Sequence, residues 1–278
     1  MTGPLVSVIT ATHAGDDVRH LGEALDSVIA QGHRPIELLV VCDGPVPDDT
    51  REMLSQRARD NPWIRVYPLE SPSGPAVARN SVLARCRGDF IAILDSDDAM
   101  SPTRVSAQID YLTAHGLDVV ASWLAVIDQS GAEQGVREFP VSWSAVRARV
   151  PYSCPTANTA VMFRREILPE FHYPEDIRVG EDYRLWVELI RRGRRIGNIP
   201  EPLTRYRTGA DYFNRRRGLS YAKSDLATKL RALPLVVWWQ RPVVVAVAGA
   251  TFVVRLLPTA LFRSVYRVFE RVGRGGAA

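Results

Sequence analysis

The sequence predicts an α/β fold: a mainly parallel, mixed central sheet with helices on both faces, followed by an apolar and basic helical extension. Three observations predict it. Short β-rich runs alternate with stretches of helical period from Leu5 to Asp95. The strands are near-continuous apolar runs, as strands covered on both faces must be. Polar residues gather where those strands end.

The elements follow in order. "LVSVIT" is the first strand, Leu21 to Ala30 the first helix, "IELLVV" the second strand and Thr50 to Arg59 the second helix. "IRVYPL", Ala76 to Ala84 and "FIAIL" then supply a strand, a helix and a strand, which makes successive βαβ units. "SPTRVSAQIDYLTAHG" predicts a helix with Ser101 as N-cap and Pro102 at its first position. "DVVASWLAVID" is a further strand closed by a "QSG" turn. After an irregular middle, "GEDYRLWVELIRRG" is a helix whose Leu185, Trp186, Leu189 and Ile190 share a face and which Gly193 ends.

Bulk properties narrow the class. With 278 residues, 46% hydrophobic and 24% charged, the chain suits one main domain with an appendage, and fibrous or disordered classes are excluded. Cys42, Cys86 and Cys154 are odd in number and lack CxxC spacing, which points to a reducing, cytoplasmic setting. "MTGPLVSVIT" has no basic n-region and reads as a strand, not a secretory signal. The five histidines show no HxH or HExxH spacing, so a zinc site is not expected.

Open parallel sheets bind ligands beyond the carboxyl ends of their strands, where loops and helix N-termini converge. The residues there are Thr12 and His13, then Asp43, then Asp95, Asp97 and Asp98. The first turn, "TATHAGDD", lacks GxGxxG, which argues against a nicotinamide enzyme. Three carboxylates within four positions raise one another's pKa unless a cation shares them. Mg²⁺ or Mn²⁺ suits an oxygen-only set that borrows water and substrate phosphate for the rest of its shell. An EF-hand does not fit, since Ser106 stands where a bidentate Glu belongs. Glu181 and Asp182 open a helix, where the macrodipole favours their ionised forms.

Taken in order, "VSVITATH", "VVCDGP", "VARNSVLARCRGDFIAILDSDD" and "GEDYRLW" resemble the family 2 glycosyltransferases of GT-A fold, from about Val6 to Arg207. The resemblance implies an inverting, metal-dependent sugar transfer from a nucleotide sugar, UDP-linked in preference to dTDP- or GDP-linked. It implies that Thr12 and His13 flank the base, Asp43 bonds its edge and Arg79 lies beside base or diphosphate. It places Asp95 on the ribose side, Asp97 on the metal, and Asp98 on the donor sugar or behind the metal. Asp182 becomes the general base and Glu181 its orienting partner, with "SCPTANTAVMFRRE" near the acceptor. Arg207, with Arg205 and the Arg215 to Arg217 run, is a candidate for the diphosphate or for a solvated or lipid-facing surface. The chain departs from the family at Ala11-Thr12-His13-Ala14, where relatives have Pro-Thr-Tyr-Asn, so base stacking falls to an imidazole. It departs again at Cys42, Pro45 and Gly209.

The division expected is 1–208 for the catalytic unit, with a nucleotide half to 100 and an acceptor half from 101, and 209–278 for the extension. From Leu203 onward the chain holds 14 Lys and Arg against 3 Asp and Glu, whereas the rest holds 21 against 28. Its longest charge-free piece, Pro242 to Val254, is shorter than the ~20 residues of a spanning helix. Spanning would require Arg241 or Arg255 to snorkel; amphipathic or re-entrant segments lying in the cytoplasmic leaflet are expected instead, with Trp238 and Trp239 at headgroup level and arginines on lipid phosphate. Docking of the extension on the body or another subunit is the alternative. The acceptor is then a lipid-linked or cell-envelope glycan, and nucleic acid is not expected as a partner. Nucleotidyl transfer and a non-catalytic membrane adaptor are the competing classes. The first would need a second carboxylate set and a phosphate-gripping Gly/Lys loop; the second would not need Glu181 and Asp182.

Overall fold

A computed structural model of the chain describes residues 3–209, 212–263 and 265; the remaining parts of the expected extension lie outside the described residues. Strands β1 (Val6–Thr12), β2 (Ile36–Cys42), β3 (Ile64–Pro68) and β4 (Phe90–Ile93) alternate with helices α1 (Val18–Ile29), α2 (Asp48–Asp60) and α3 (Pro75–Leu83). These strands lie parallel in the order β3-β2-β1-β4.

The second half contains β5 (Ala99–Met100), α4 (Arg104–His115), β6 (Val119–Ile127), β7 (Glu133–Arg137), α5 (Trp143–Arg149), β8 (Met162–Arg164), α6 (Glu181–Arg191) and β9 (Ile196–Arg207). β8 pairs antiparallel with β4 and with β6, while β6 runs parallel to β9. One mixed sheet results, ordered β3-β2-β1-β4-β8-β6-β9-β5, with β7 on β6.

Alternation along each strand divides the core. Ile9, Leu39, Val41, Ile91 and Ile93 pack with Val82 of α3 and Trp186 of α6. Val8, Leu38, Val40, Ala92 and Leu94 pack with Leu25 of α1, Leu54 of α2 and Val105 of α4. Helices therefore cover both faces, which is why the strands read as unbroken apolar runs.

Helix α4 starts later than the sequence suggests: its N-cap is Thr103, not Ser101. The Ser101 N–H donates to Leu203 O at 2.9 Å, extending the pairing of β5 with β9, and a turn at Pro102 and Thr103 intervenes before the helix begins. Helix α6 is capped by Gly180 at φ 76°, a left-handed conformation that favours glycine, and Gly193 follows its end as expected.

Beyond β9, α7 (Leu219–Arg231) packs against α6, and α8 (Arg241–Leu256) packs on α7. A buried Asp225 carboxylate joins them, paired with Lys229 on its own helix and with Arg255 of α8 at 3.3 Å. Arg255, one of the two arginines that would have to snorkel for this segment to span a membrane, is turned inward by this acid and by Tyr221, whose ring it covers at 4.1 Å. Among the described residues no helix is long and apolar enough to cross a membrane.

Candidate active site

The carboxyl end of β1 is organised by Asp16, a residue the sequence reading passed over. Asp16 Oδ2 accepts from Thr12 Oγ1 at 2.9 Å, from the His13 N–H at 3.1 Å and from Ser96 Oγ at 2.8 Å. Its other oxygen meets His13 Nδ1 at 2.8 Å. Thr12 is thereby buried and committed, while the His13 ring stays exposed and poised at the rim. "THAGD" carried the signal, a Thr and an Asp four apart across a turn.

Asp43, at the end of β2, accepts the Ser73 N–H at 2.6 Å and the Gly74 N–H at 2.9 Å. It therefore fixes the entry to α3. Gly44 is required beside it: φ is 86°, and a Cβ there would lie 2.7 Å from the Pro72 ring.

Helix α3 then delivers Arg79 into the centre. Its Nη2 donates to Asp95 Oδ1 at 2.7 Å and its Nη1 to Glu181 Oε1 at 3.2 Å, so one guanidinium joins the end of β4 to the start of α6. The Tyr173 ring lies beneath it at 5.4 Å, and the Tyr173 hydroxyl donates to Asn158 Oδ1 at 2.7 Å. Asn80 brackets Tyr173, accepting its N–H at 3.0 Å and donating to its carbonyl at 2.8 Å. Burial works against the charge on Arg79, yet Asp95 and Glu181 hold its pKa above the ordinary value.

The loop after β4 carries the crowded acids. Asp98 is almost fully buried; its Oδ1 accepts the Arg207 N–H at 2.8 Å, and among the described residues its Oδ2 has no hydrogen-bond partner. Burial, then the charges of Asp97 and Asp95, push its pKa well up. Asp97 is raised to about 6 by burial and by Asp95, with the charge of Arg215 opposing. An orphaned buried carboxylate oxygen beside a half-exposed acid suits a hard divalent cation, whose charge would reverse both shifts. Asp97 and Asp98 are the residues placed to hold one. Among the described residues no group of three or more His, Cys, Asp or Glu side chains is arranged as a metal cage, so such an ion would need ligand oxygens as well.

Two arginines support this loop from beneath. Arg207 donates its Nε to Asp97 O at 3.0 Å and its Nη1 to Asp128 O and Gln129 O, each at 3.2 Å, and it pairs with Glu23. These donors brace the loop, whereas Arg215 is exposed. Arg104, which the sequence reading missed, is fully buried and donates to Thr159 O at 2.8 Å and Ile93 O at 2.9 Å. Burial lowers its pKa to about 9. Only its place in the first turn of α4 hinted at this position.

Across from the loop, Glu181 and Asp182 open α6. Burial raises both carboxyl pKa values; Arg79 opposes this at Glu181, and the Tyr183 N–H and Arg79 oppose it at Asp182. Asp182 Oδ1 accepts that N–H at 2.7 Å. Between loop and helix runs the "SCPTANTA" segment: Thr159 Oγ1 accepts the Asp95 N–H at 3.1 Å, and the Cys154 thiol is raised by burial and by the charge of Asp182. Thus Arg79, Asp95, Glu181 and Asp182 form one connected group with Asp97 and Asp98 on the same loop, and Asp43 and Arg207 sit behind it as braces. A hollow of about 630 Å³ at Asp89, Phe90 and Arg164 lies at the opposite end of β4 and shares no residue with this group.

Comparison with known proteins identifies the family to which this mixed α/β sheet, with acidic residues at its ligand-binding edge, belongs. Glycosyl transferase family 2 matches residues 7–170, and the chain belongs to that family. It is 30% identical over 225 residues to the amylovoran biosynthesis glycosyltransferase AmsE of Erwinia amylovora, covering 80% of this chain and 83% of that one. It is 26% identical to the UDP-Gal:alpha-D-GlcNAc-diphosphoundecaprenol beta-1,3-galactosyltransferase of Escherichia coli, over 95% of this chain and 96% of that one. Among solved structures, S. aureus TarS superposes with a TM-score of 0.66 at 20% identity, over 92% of this chain but 43% of TarS. That likeness is one of fold. The AmsE relative is named for amylovoran biosynthesis, and TuaG of Bacillus subtilis, 29% identical over 73% of this chain and 79% of that one, is named as a putative teichuronic acid biosynthesis glycosyltransferase.

Proposed function

We propose that the protein transfers a sugar with inversion from a nucleoside-diphosphate sugar to a lipid-linked or cell-envelope glycan, at the cytoplasmic face of the membrane. In this reading residues 1–208 are the catalytic unit and 209–278 the membrane-facing extension. The observation that carries it is the Arg79 bridge, which ties the acid on the donor side, Asp95, to the helix bearing Asp182.

The donor base rests against His13, with Thr12 and Asp43 shaping the loops around it. Asp95 faces the ribose and Asp97 the diphosphate. Asp98 stands behind Asp97 on the side of the donor sugar. When bound, Mg²⁺ or Mn²⁺ supplies positive charge that stabilises the departing diphosphate. Asp182 takes the proton of the acceptor hydroxyl as its oxygen bonds to the anomeric carbon, and the bond from that carbon to the diphosphate oxygen breaks on the opposite side. A carboxylate with a raised pKa is a better base than a solvated one, which suits Asp182 to this step. Glu181, held by Arg79, keeps the helix start and the acceptor in register.

A UDP-sugar is the favoured donor, with dTDP- and GDP-sugars as the other classes. Neighbours in fold have been solved with UDP-GlcNAc and with GDP-Man and Mn²⁺, which supports the donor class. The test is release of nucleoside diphosphate from a panel of nucleotide sugars, with Mn²⁺ and with EDTA. Metal-dependent release from one donor supports the reading; no release from any donor in the presence of acceptor lipid extract rejects it.

A further inference from the structure

Apolar exposure in this protein is concentrated in one place. Of the eleven large apolar side chains exposed among the described residues, ten fall between Leu219 and Leu261. Trp238 and Trp239, in a short 3-10 turn before α8, are 73% and 60% exposed. Helix α8 turns Val244 and Ala248 inward onto α7 and leaves Val243, Val245 and Val253 outside. Nothing polar interrupts that outer face, where Ala246, Gly249 and Ala250 fill the remaining positions. A helix apolar all round is normally buried in protein or in lipid.

The charge around this face selects the occupant. From Leu226 to Val265 there is no Asp or Glu. Arg241 and Arg263 are exposed at its borders, while Lys229 and Arg255 are used internally by Asp225. At 16 residues α8 is about 24 Å long, too short to span a ~30 Å hydrocarbon core.

We propose that the face formed by Trp238, Trp239, Val243, Val245 and Val253 docks flat on a bilayer containing anionic phospholipid, and that α7 holds this face in fixed register with the catalytic acids. This rests on the glycosyltransferase reading for its purpose, namely bringing a membrane-borne acceptor to Asp182. The register comes from contacts on both sides of α7. Toward the membrane face, the Gly218 N–H donates to Arg255 O at 2.8 Å, and Arg217 donates to Leu257 O at 3.1 Å and Thr259 Oγ1 at 3.0 Å. Toward the site, Ser224 Oγ donates to Val179 O at 2.8 Å beside the cap of α6, and Lys229 lies over the Tyr183 ring at 5.9 Å. Indole rings prefer the headgroup level and arginines the lipid phosphates, so the border cations and the Trp pair act on the same layer.

The experiment is co-sedimentation of the full chain with vesicles of phosphatidylcholine alone and of phosphatidylcholine with phosphatidylglycerol. Binding at least tenfold tighter to the anionic vesicles, weakened by salt, is expected. Trp238→Ser with Trp239→Ser should reduce it at least tenfold, while Val136→Ser, an exposed apolar site elsewhere, should not. If the double variant fails to fold, brominated lipid applied to the wild type should quench the exposed tryptophans. Absence of vesicle binding, or binding indifferent to the Trp substitutions and without quenching, overturns the proposal. So does a concentration-dependent dimer that the substitutions abolish without any vesicle binding, which assigns the face to a second copy. Nucleoside diphosphate release measured without vesicles tests the catalytic reading separately, and the Trp variants should retain it.

Discussion

Arg79 and Glu181, 102 residues apart in sequence, meet at 3.2 Å while the same guanidinium holds Asp95 at 2.7 Å. The middle of α3, the end of β4 and the start of α6 are thereby one electrostatic unit. Remove its cation, and two partly buried acids face each other without compensation.

Arg79→Met should therefore cost about 3–5 kcal/mol of stability, the usual range for breaking a buried pair from one side. Arg79→Lys should recover only part of this, because an ammonium is a point charge and cannot span two carboxylates in a fork. Urea unfolding at neutral pH measures both. An unchanged midpoint in Arg79→Met would contradict the bridge.

The acids predict a specific pH dependence of the metal-free protein. Asp97 is raised from 3.8 to about 6, so the folded state binds its proton more tightly than the unfolded state does. Its contribution is present below pH 4 and lost as pH rises through about 6, a loss on the order of 1–3 kcal/mol. Asp97→Asn should raise the melting temperature above pH 6 and flatten this dependence, while lowering metal-dependent turnover. Melting curves from pH 4 to 8 in EDTA provide the readout; a variant less stable than wild type at pH 7.5 would contradict the assignment.

Asp182→Asn should lower kcat by roughly 10²–10⁴-fold with little change in donor affinity, as loss of a general base does. Activity of the wild type should fall as pH drops through the raised Asp182 pKa. Near-normal transfer by the variant to an acceptor would reassign the base to Glu181.

Arg207 and Arg215 should separate cleanly. Arg207 is buried among backbone carbonyls, so Arg207→Met should lower the melting temperature and disorder the loop. Arg215 is exposed and its charge acts on Asp97, so Arg215→Ala should leave melting unchanged and raise the donor KM by roughly 10–100-fold, the worth of one charge-assisted hydrogen bond. Donor titration and thermal melting on the two variants decide it.

Much of the fold was legible because it is written in local patterns. The apolar strands β1, β2, β4 and β6 and the helix α6 announce themselves by period and by caps, and the acids of the site stand at strand ends where topology puts ligands. What was hidden is nonlocal. β8 is three residues long, Met162–Arg164, and β5 two, Ala99–Met100, too short to show any period. Asp16, Arg104 and Tyr173 matter through partners far along the chain, such as Asp16 with Ser96 and Arg104 with Thr159. Arg207 read as a candidate for the diphosphate or for a solvated surface, and Arg255 as an arginine beside lipid, because no local pattern shows that a set of carbonyls or a buried acid waits for them. In the extension, the apolar run led only to the expectation of a lipid-facing segment, and it is the packing that shows α7 lying against α6 and Arg255 pointing inward.

The acids after β4 should take a divalent cation together with a nucleoside diphosphate, beside the helix that carries Asp182. Mn²⁺ binding followed by electron paramagnetic resonance, with and without UDP or GDP, measures this. One site is predicted, at least tenfold tighter when the nucleotide is present and lost in Asp97→Ala. Equal Mn²⁺ binding by wild type and variant, or nucleotide binding indifferent to Mn²⁺, would contradict it.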